Sequence, residues 1–261
     1  MTFEQTSAVW QALLATFFTW GATAFGAGLV FAFKRVGRTL LDAMLGFSGG
    51  VMLAASFWSL LLPAKEMAET LSCEAAFPLC LGFLAGGLII ALGDRLFTAL
   101  SGQRGDRSFG RRLLLVSSIT LHNLPEGIAV GVAFGSVVYG LEGASLGAAC
   151  TLAAGIALQN LPEGTAVSLP LHRDGMSRGK AFFFGQLSGA VEPIGGVFGA
   201  WLVLAARQLL PFLLSFAAGA MVYVVVGELV PESQNNEKRS LMTLFTLLGF
   251  ALMMLLDVLL G

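Results

Sequence analysis

The sequence predicts an all-α, polytopic membrane protein of eight transmembrane helices with both termini outside the cytoplasm. Three observations predict this. Composition is the first: 56% of the 261 residues are hydrophobic, 12% are charged and the mean hydropathy is +0.81, whereas soluble domains carry about 25% charge. The second is run length. A membrane helix needs about 20 apolar residues, and a barrel strand about 10 of alternating character; the runs here are of the first kind. The third is the placement of the basic residues.

Eight runs qualify, at about 8–33, 41–63, 77–99, 112–138, 144–170, 178–206, 209–230 and 240–260, forming one transmembrane domain over 1–261. With these spans, Lys34, Arg35, Arg38, Arg95, Arg104, Arg107, Arg111, Arg112, Arg173, Arg178, Lys180, Lys238 and Arg239 fall on one side, and only Lys65 and Arg207 on the other. Basic residues favour the cytoplasmic side. The same asymmetry checks the span count, because one missed helix would scramble it. The start, Met1-Thr2-Phe3-Glu4-Gln5, lacks the basic region of a secretory signal, so no cleavage is expected. The loops are too short for a soluble domain, and the net charge of −1 gives no field for nucleic acid. Cys73, Cys80 and Cys150 lack metal-binding spacing; Cys73 and Cys80 flank one connection, where a disulfide is allowed in an oxidising compartment. Glycines such as Gly26/Gly28, Gly49/Gly50, Gly86/Gly87 and Gly195/Gly196 suit close helix packing.

One phrase occurs twice: His122-Asn123-Leu124-Pro125-Glu126-Gly127 in helix 4 and Gln159-Asn160-Leu161-Pro162-Glu163-Gly164 in helix 5. Both copies fall near mid-membrane on antiparallel neighbours. Ionisable groups there are costly and read as functional. His122/Glu126 and Gln159/Glu163 are i and i+4, and Asn123/Glu126 and Asn160/Glu163 are i and i+3, so each carboxylate shares a helix face with two ligand-type side chains. Pro125 and Pro162 leave the carbonyls of Leu121 and Leu158 without their helical donors. Glu192-Pro193 in helix 6 adds a third carboxylate beside a proline. No Lys or Arg lies in the middle of helices 4 to 6 to neutralise these charges. A divalent cation would do so. Imidazole, carboxylate and amide donors suit zinc, and also iron, manganese or cadmium, better than copper(I).

At these residues the chain resembles the ZIP (Zrt/Irt-like protein) family of divalent-metal transporters. Gln159 and the run Glu192-Pro193-Ile194-Gly195-Gly196 look most like its bacterial GufA-like branch. The resemblance covers essentially the whole chain. It implies a binuclear site between helices 4 and 5, with His122, Glu126, Gln159 and Glu163 at one position and Asn123, Glu126, Asn160, Glu163 and Glu192 at the other. Met52 matches a residue that can add a sulfur ligand, although a Met in a bundle is commonly core-filling. Many family members carry His where this chain has Gln159, a weaker and non-titrating ligand. The loop between helices 3 and 4, often long and His-rich in the family, is here only about Ser101–Gly110 and has no His.

The expected function is import of divalent metal, chiefly zinc, into the cytoplasm across the bacterial inner (plasma) membrane. The metal ion is the cargo and no prosthetic group is implied. The sequence shows no ATP-binding motif, so a gradient is expected to drive transport, by movement of one helix group against another. Glu228 and Glu232, in Gly227-Glu228-Leu229-Val230-Pro231-Glu232, are candidates for the cytoplasmic exit; alternatively they mark a solvated helix end before a proline stop. His172 reads as solvated. Asp42, Asp94 and Asp257 lie near helix ends as caps or entrance charges. Expected partners are divalent ions and the lipid bilayer, and the glycine-rich helices allow a homodimer. The alternatives are a proton-coupled carrier for another solute using the same carboxylates, an intramembrane metalloenzyme, and a structural subunit. No HExxH motif supports the enzyme.

Overall fold

A computed structural model describes residues 7–33, 37–70, 76–101, 107–141, 144–173 and 175–260, with the side chains of all of these except 70, 94, 97, 98, 100, 101, 107–122 and 207. The described residues form eight long helices and no strand: α1 (Ala8–Ala32), α2 (Arg38–Glu69), α3 (Ala76–Ser101), α4 (Arg107–Val138), α5 (Leu146–Arg173), α6 (Arg178–Ala205), α7 (Leu210–Gln234) and α8 (Arg239–Leu260). Six of them, α1, α2, α3, α6, α7 and α8, are long and apolar enough to cross a membrane. The other two carry the repeated motif. At 28 residues, α5 would reach about 42 Å, so what sets it apart is its polar content, not its length. In α4 the apolar described stretch is Asn123–Val138.

Small residues decide how the helices pair. An added Cβ at Gly26 would stand 2.0 Å from the carbonyl oxygen of Leu161, and one at Gly164 2.0 Å from that of Thr23, which seats α1 against α5. Gly50 and Gly249 make the same reciprocal contact between α2 and α8, Gly86 and Gly219 between α3 and α7, and Gly131 and Gly199 between α4 and α6. Lipid tails are as apolar as Leu, so helix association in a membrane comes from such close packing. The four pairs gather into two groups. In one, α1 also packs on α4 and α6; in the other, α2 packs on α7. The groups meet where α5 lies on α2 and α4 lies on α7. Exchanging α1–α3 with α6–α8, and α4 with α5, maps the four pairs onto themselves, the pattern of an internal repeat.

The exchange also relates two irregularities. A π-helical turn occupies Ser56–Leu61 in α2, and another Val225–Leu229 in α7. Both are followed at once by a residue-proline pair, Leu62-Pro63 and Val230-Pro231, and the N–H groups of Leu62 and Val230 donate five residues back, to Phe57 and Val225. A proline ring clashes with the carbonyl four residues earlier; the wider turn moves that carbonyl aside. The helix therefore runs through Pro231 to Gln234, and the sequence-based alternative of a proline stop does not hold. In α6 the outcome differs. A turn at Ala190–Val191 breaks the helix, and Glu192 and Pro193 open its second segment.

At one end of the bundle Arg38 Nη2 donates to the carbonyl of Asn235 (2.9 Å), and Arg178 Nη1 to that of Phe31 (3.5 Å). Asp42, buried there, accepts from Asn236 Nδ2 (2.7 Å) and pairs with Arg38 (3.6 Å), so it ties α2 to the α7–α8 turn. Leu81, Leu84, Leu88 and Leu92 of α3 and Leu244, Leu248, Leu255 and Leu259 of α8 are exposed, as lipid-facing residues would be. Cys73 falls outside the described residues, and Cys80 and Cys150 are free thiols.

Candidate metal site

The two motifs lie on α4 and α5, and their described polar side chains are enclosed. Asn123, Glu126, Gln159, Asn160 and Glu192 each have 0% exposure, and Glu163 has 4%. Gln159 Nε2 donates to Glu126 Oε1 at 2.5 Å, joining α5 to α4. Asn160 Nδ2 donates to Glu192 Oε1 at 2.9 Å and to the carbonyl of Thr19 at 3.1 Å, which brings α6 and α1 to the same place. Asn123 Nδ2 donates to the carbonyl of Ser188 at 3.0 Å. Glu126 is close enough to Glu163 and Glu192 for their charges to interact, as Glu163 is to Glu228. The Ser48 hydroxyl of α2 lies near Glu163 and donates to the carbonyl of Gln159 at 3.3 Å.

One pattern unites the amides. Each has its nitrogen anchored and its oxygen left over. Asn123 Oδ1, Gln159 Oε1 and Asn160 Oδ1 are buried without a hydrogen-bond partner, and so are Glu126 Oε2 and Glu163 Oε2. A buried acceptor without a donor costs about 1–3 kcal/mol, and more if charged. Five in one small volume fit a site whose missing partner is a cation. No described basic residue takes that part: the ion pairs among the described residues are Arg38–Asp42 and Lys65–Glu69, both away from the motif. Among the described side chains, which do not include that of His122, no three His, Cys, Asp or Glu form a group that could hold an ion without further donors. The donor set present is carboxylate plus amide oxygen.

Of the sequence-predicted residues, the fold thus brings Asn123, Glu126, Gln159, Asn160, Glu163 and Glu192 together. His122 falls on α4 one turn before Glu126, and its side chain lies outside those described. Met52 is buried within the apolar core and its carbonyl takes the Ser56 hydroxyl. Glu228 is half-buried in the π-turn of α7, facing Glu163, whereas Glu232 is exposed. His172 is half-buried and its Nδ1 lies 2.8 Å from the carbonyl of Met176. Sequence reasoning missed Thr19, Thr23 and Ser48. They sit in ordinary apolar helices, and only their long-range partners reveal them. It also missed a cavity of about 200 Å³ at the end of the bundle opposite Arg38, lined by Ser59 and Glu66 of α2, Ser136 of α4 and Asp257 of α8. Asp257 accepts from Ser59 at 2.7 Å.

Residues 101–257 match the family model described as ZIP zinc transporter. That span holds both motifs and Glu192. The chain belongs to the ZIP family. It is 40% identical to human zinc transporter ZIP11, with 98% of each chain covered. Zinc transporter GufA of Myxococcus xanthus is 35% identical, covering 95% of this chain and 98% of its own, and zinc transporter ZIPB of Bordetella bronchiseptica is 37% identical, covering 100% and 85%. The ZIP family is one of transporters, not enzymes.

Proposed function

We propose that this ZIP-family protein imports divalent metal, chiefly zinc, into the cytoplasm through a two-metal site between α4 and α5, with all eight helices crossing the bacterial inner membrane and both termini outside. The observation that carries the reading is the set of five orphaned donor oxygens beside carboxylates that no basic residue neutralises. His122, Glu126, Gln159 and Glu163 would hold one ion. Asn123, Asn160 and Glu192 would complete a second position that shares Glu126 and Glu163. Met52 is a candidate sulfur donor beside them.

The route follows from the arrangement. An ion enters the outer cavity past Glu66 and Asp257 and exchanges water for carboxylate and amide oxygens at the motif. It leaves by way of Glu228, which already faces Glu163, and then the exposed Glu232. The two helix groups meet along α4 and α5, which carry both motifs, so sliding one against the other would open the site to alternate sides. The basic residues gathered around Arg38 mark the cytoplasmic end.

Zinc uptake into proteoliposomes tests the reading, with wild type beside Glu163→Ala and with cadmium and manganese as competitors. The expected result is saturable wild-type uptake that falls at least about 100-fold in the variant, since removing one partner of a buried charged site costs about 3–5 kcal/mol. Folded wild-type protein that moves no divalent metal under any pH gradient would count against transport of metal. Uptake by Glu163→Ala equal to wild type would remove the site.

A further inference from the structure

We infer that Thr19, assisted by Thr23, is the positioning residue of the metal site: it fixes Glu192 and Asn160 so that the carbonyl oxygen of Asn160 faces the ion. The inference rests on the metal-site reading above and assigns work to α1, which carries no part of the repeated motif.

Thr19 holds both partners at once. Its hydroxyl donates to Glu192 Oε2, and its backbone carbonyl accepts from Asn160 Nδ2 at 3.1 Å. The same Nδ2 donates to Glu192 Oε1 at 2.9 Å, so both amide hydrogens are used. An amide with its nitrogen held by two acceptors has one orientation left, and Asn160 Oδ1 is the orphan that results. Thr23, one helical turn further along the same face, adds a longer contact to Glu192 Oε1 at 3.4 Å. Glu192 therefore differs from Glu126 and Glu163. Both of its oxygens are engaged, whereas each of theirs includes one that is not.

The surroundings are built for this contact. Thr19 and Thr23 are both fully buried, although a buried hydroxyl on a membrane helix can be satisfied by its own backbone. A Cβ on Gly189 would stand 2.9 Å from both Glu192 Oε1 and Thr23 Oγ1, so any side chain there would push against the pair. The break in α6 at Ala190–Val191 places Glu192 at the start of a segment, where its carboxylate faces α1.

The test is zinc uptake by proteoliposomes of Thr19→Val, Thr19→Ser, Thr23→Val and the Thr19→Val/Thr23→Val pair. Valine keeps the shape and loses the hydroxyl; serine keeps the hydroxyl and loses a methyl. Positioning predicts that Thr19→Val raises KM about tenfold, the scale of one hydrogen bond to a charged acceptor, with Vmax within about twofold. Thr19→Ser should stay within about twofold of wild type, and Thr23→Val should fall between. In a Glu192→Gln background Thr19→Val should add little further, because the two share one interaction. A purely structural threonine predicts the reverse order, with serine worse than valine. That order, or wild-type KM in Thr19→Val, overturns the inference. If wild type transports no zinc, the transport reading fails on its own; calorimetric zinc binding by the purified proteins then decides, with Thr19→Val expected to bind about tenfold more weakly. Equal binding, or none in wild type, overturns the positioning role.

Discussion

At the scale of single residues, the proposed metal site is tested most directly at Gln159. Its nitrogen is committed to Glu126 and its oxygen is unpaired, so it offers an ion one neutral oxygen. A histidine there would offer a stronger nitrogen ligand that competes with protons, because its unperturbed pKa is about 6.5. Gln159→His should lower the KM for zinc at pH 7.5 by about threefold to tenfold, a change of about 0.7–1.4 kcal/mol. The gain should disappear at pH 5.5, where the imidazolium no longer ligates; uptake at the two pH values in proteoliposomes checks both halves. An unchanged KM at pH 7.5 would mean that this position does not touch the ion. Which carboxylates the fold encloses was legible where cost alone marks them: Glu126, Glu163 and Glu192 are buried and have no reason to lie in apolar helices unless something pairs with them. Thr19 was not legible, because a threonine in a membrane helix is cheap and its partner Glu192 is 173 positions away.

Between helices the governing quantity is the distance from backbone to backbone. At Gly86 an added methyl would stand 1.9 Å from the carbonyl oxygen of Phe216, so α3 and α7 must separate to admit it. At Gly21 of α1 nothing lies within 4 Å. Gly86→Ala should therefore destabilise the detergent-solubilised protein by about 1–3 kcal/mol, the cost of overpacking. Gly21→Ala should leave it unchanged or slightly more stable, since alanine favours helix. Thermal unfolding of both variants beside wild type makes the comparison, and an equal effect at the two positions would show that the reciprocal glycine contacts do not set the pairing. Helix limits were readable from run length, within a few residues at most ends. The π-turns were not, because Pro63 and Pro231 are equally consistent with a stop, a kink or a widened turn until the neighbouring helix chooses. Gly50 could be recognised as a packing residue, but nothing local in the sequence says that it packs in the same helix pair as Gly249.

The molecule as a whole is two groups of helices, with the proposed metal-site residues carried by the group of α1, α4, α5 and α6. An orientation can be proposed from the sequence because charge is counted along the chain, and the grouping cannot, because it is a property of contacts between distant segments. If transport moves one group against the other, covalent ties should act differently according to where they are placed. Gly155 of α5 lies against Met253 of α8, across the boundary, with the Met253 side chain 2.4 Å from where a Cβ would be. Gln234 and Thr243 bond each other at 3.1 Å within one group, at its exposed end. A disulfide formed in Gly155→Cys/Met253→Cys should arrest zinc uptake and release it on reduction, because it links elements that must part. One in Gln234→Cys/Thr243→Cys should leave uptake within about twofold, since it links neighbours within one group and restrains nothing that moves. Both variants need the three native cysteines removed first, and uptake before and after reductant is the readout. Arrest by the second tie and not the first would place the moving boundary between α7 and α8. Full uptake with the first tie complete would show that ions pass without relative motion of the groups, by a fixed path from the outer cavity through Glu163 to Glu228.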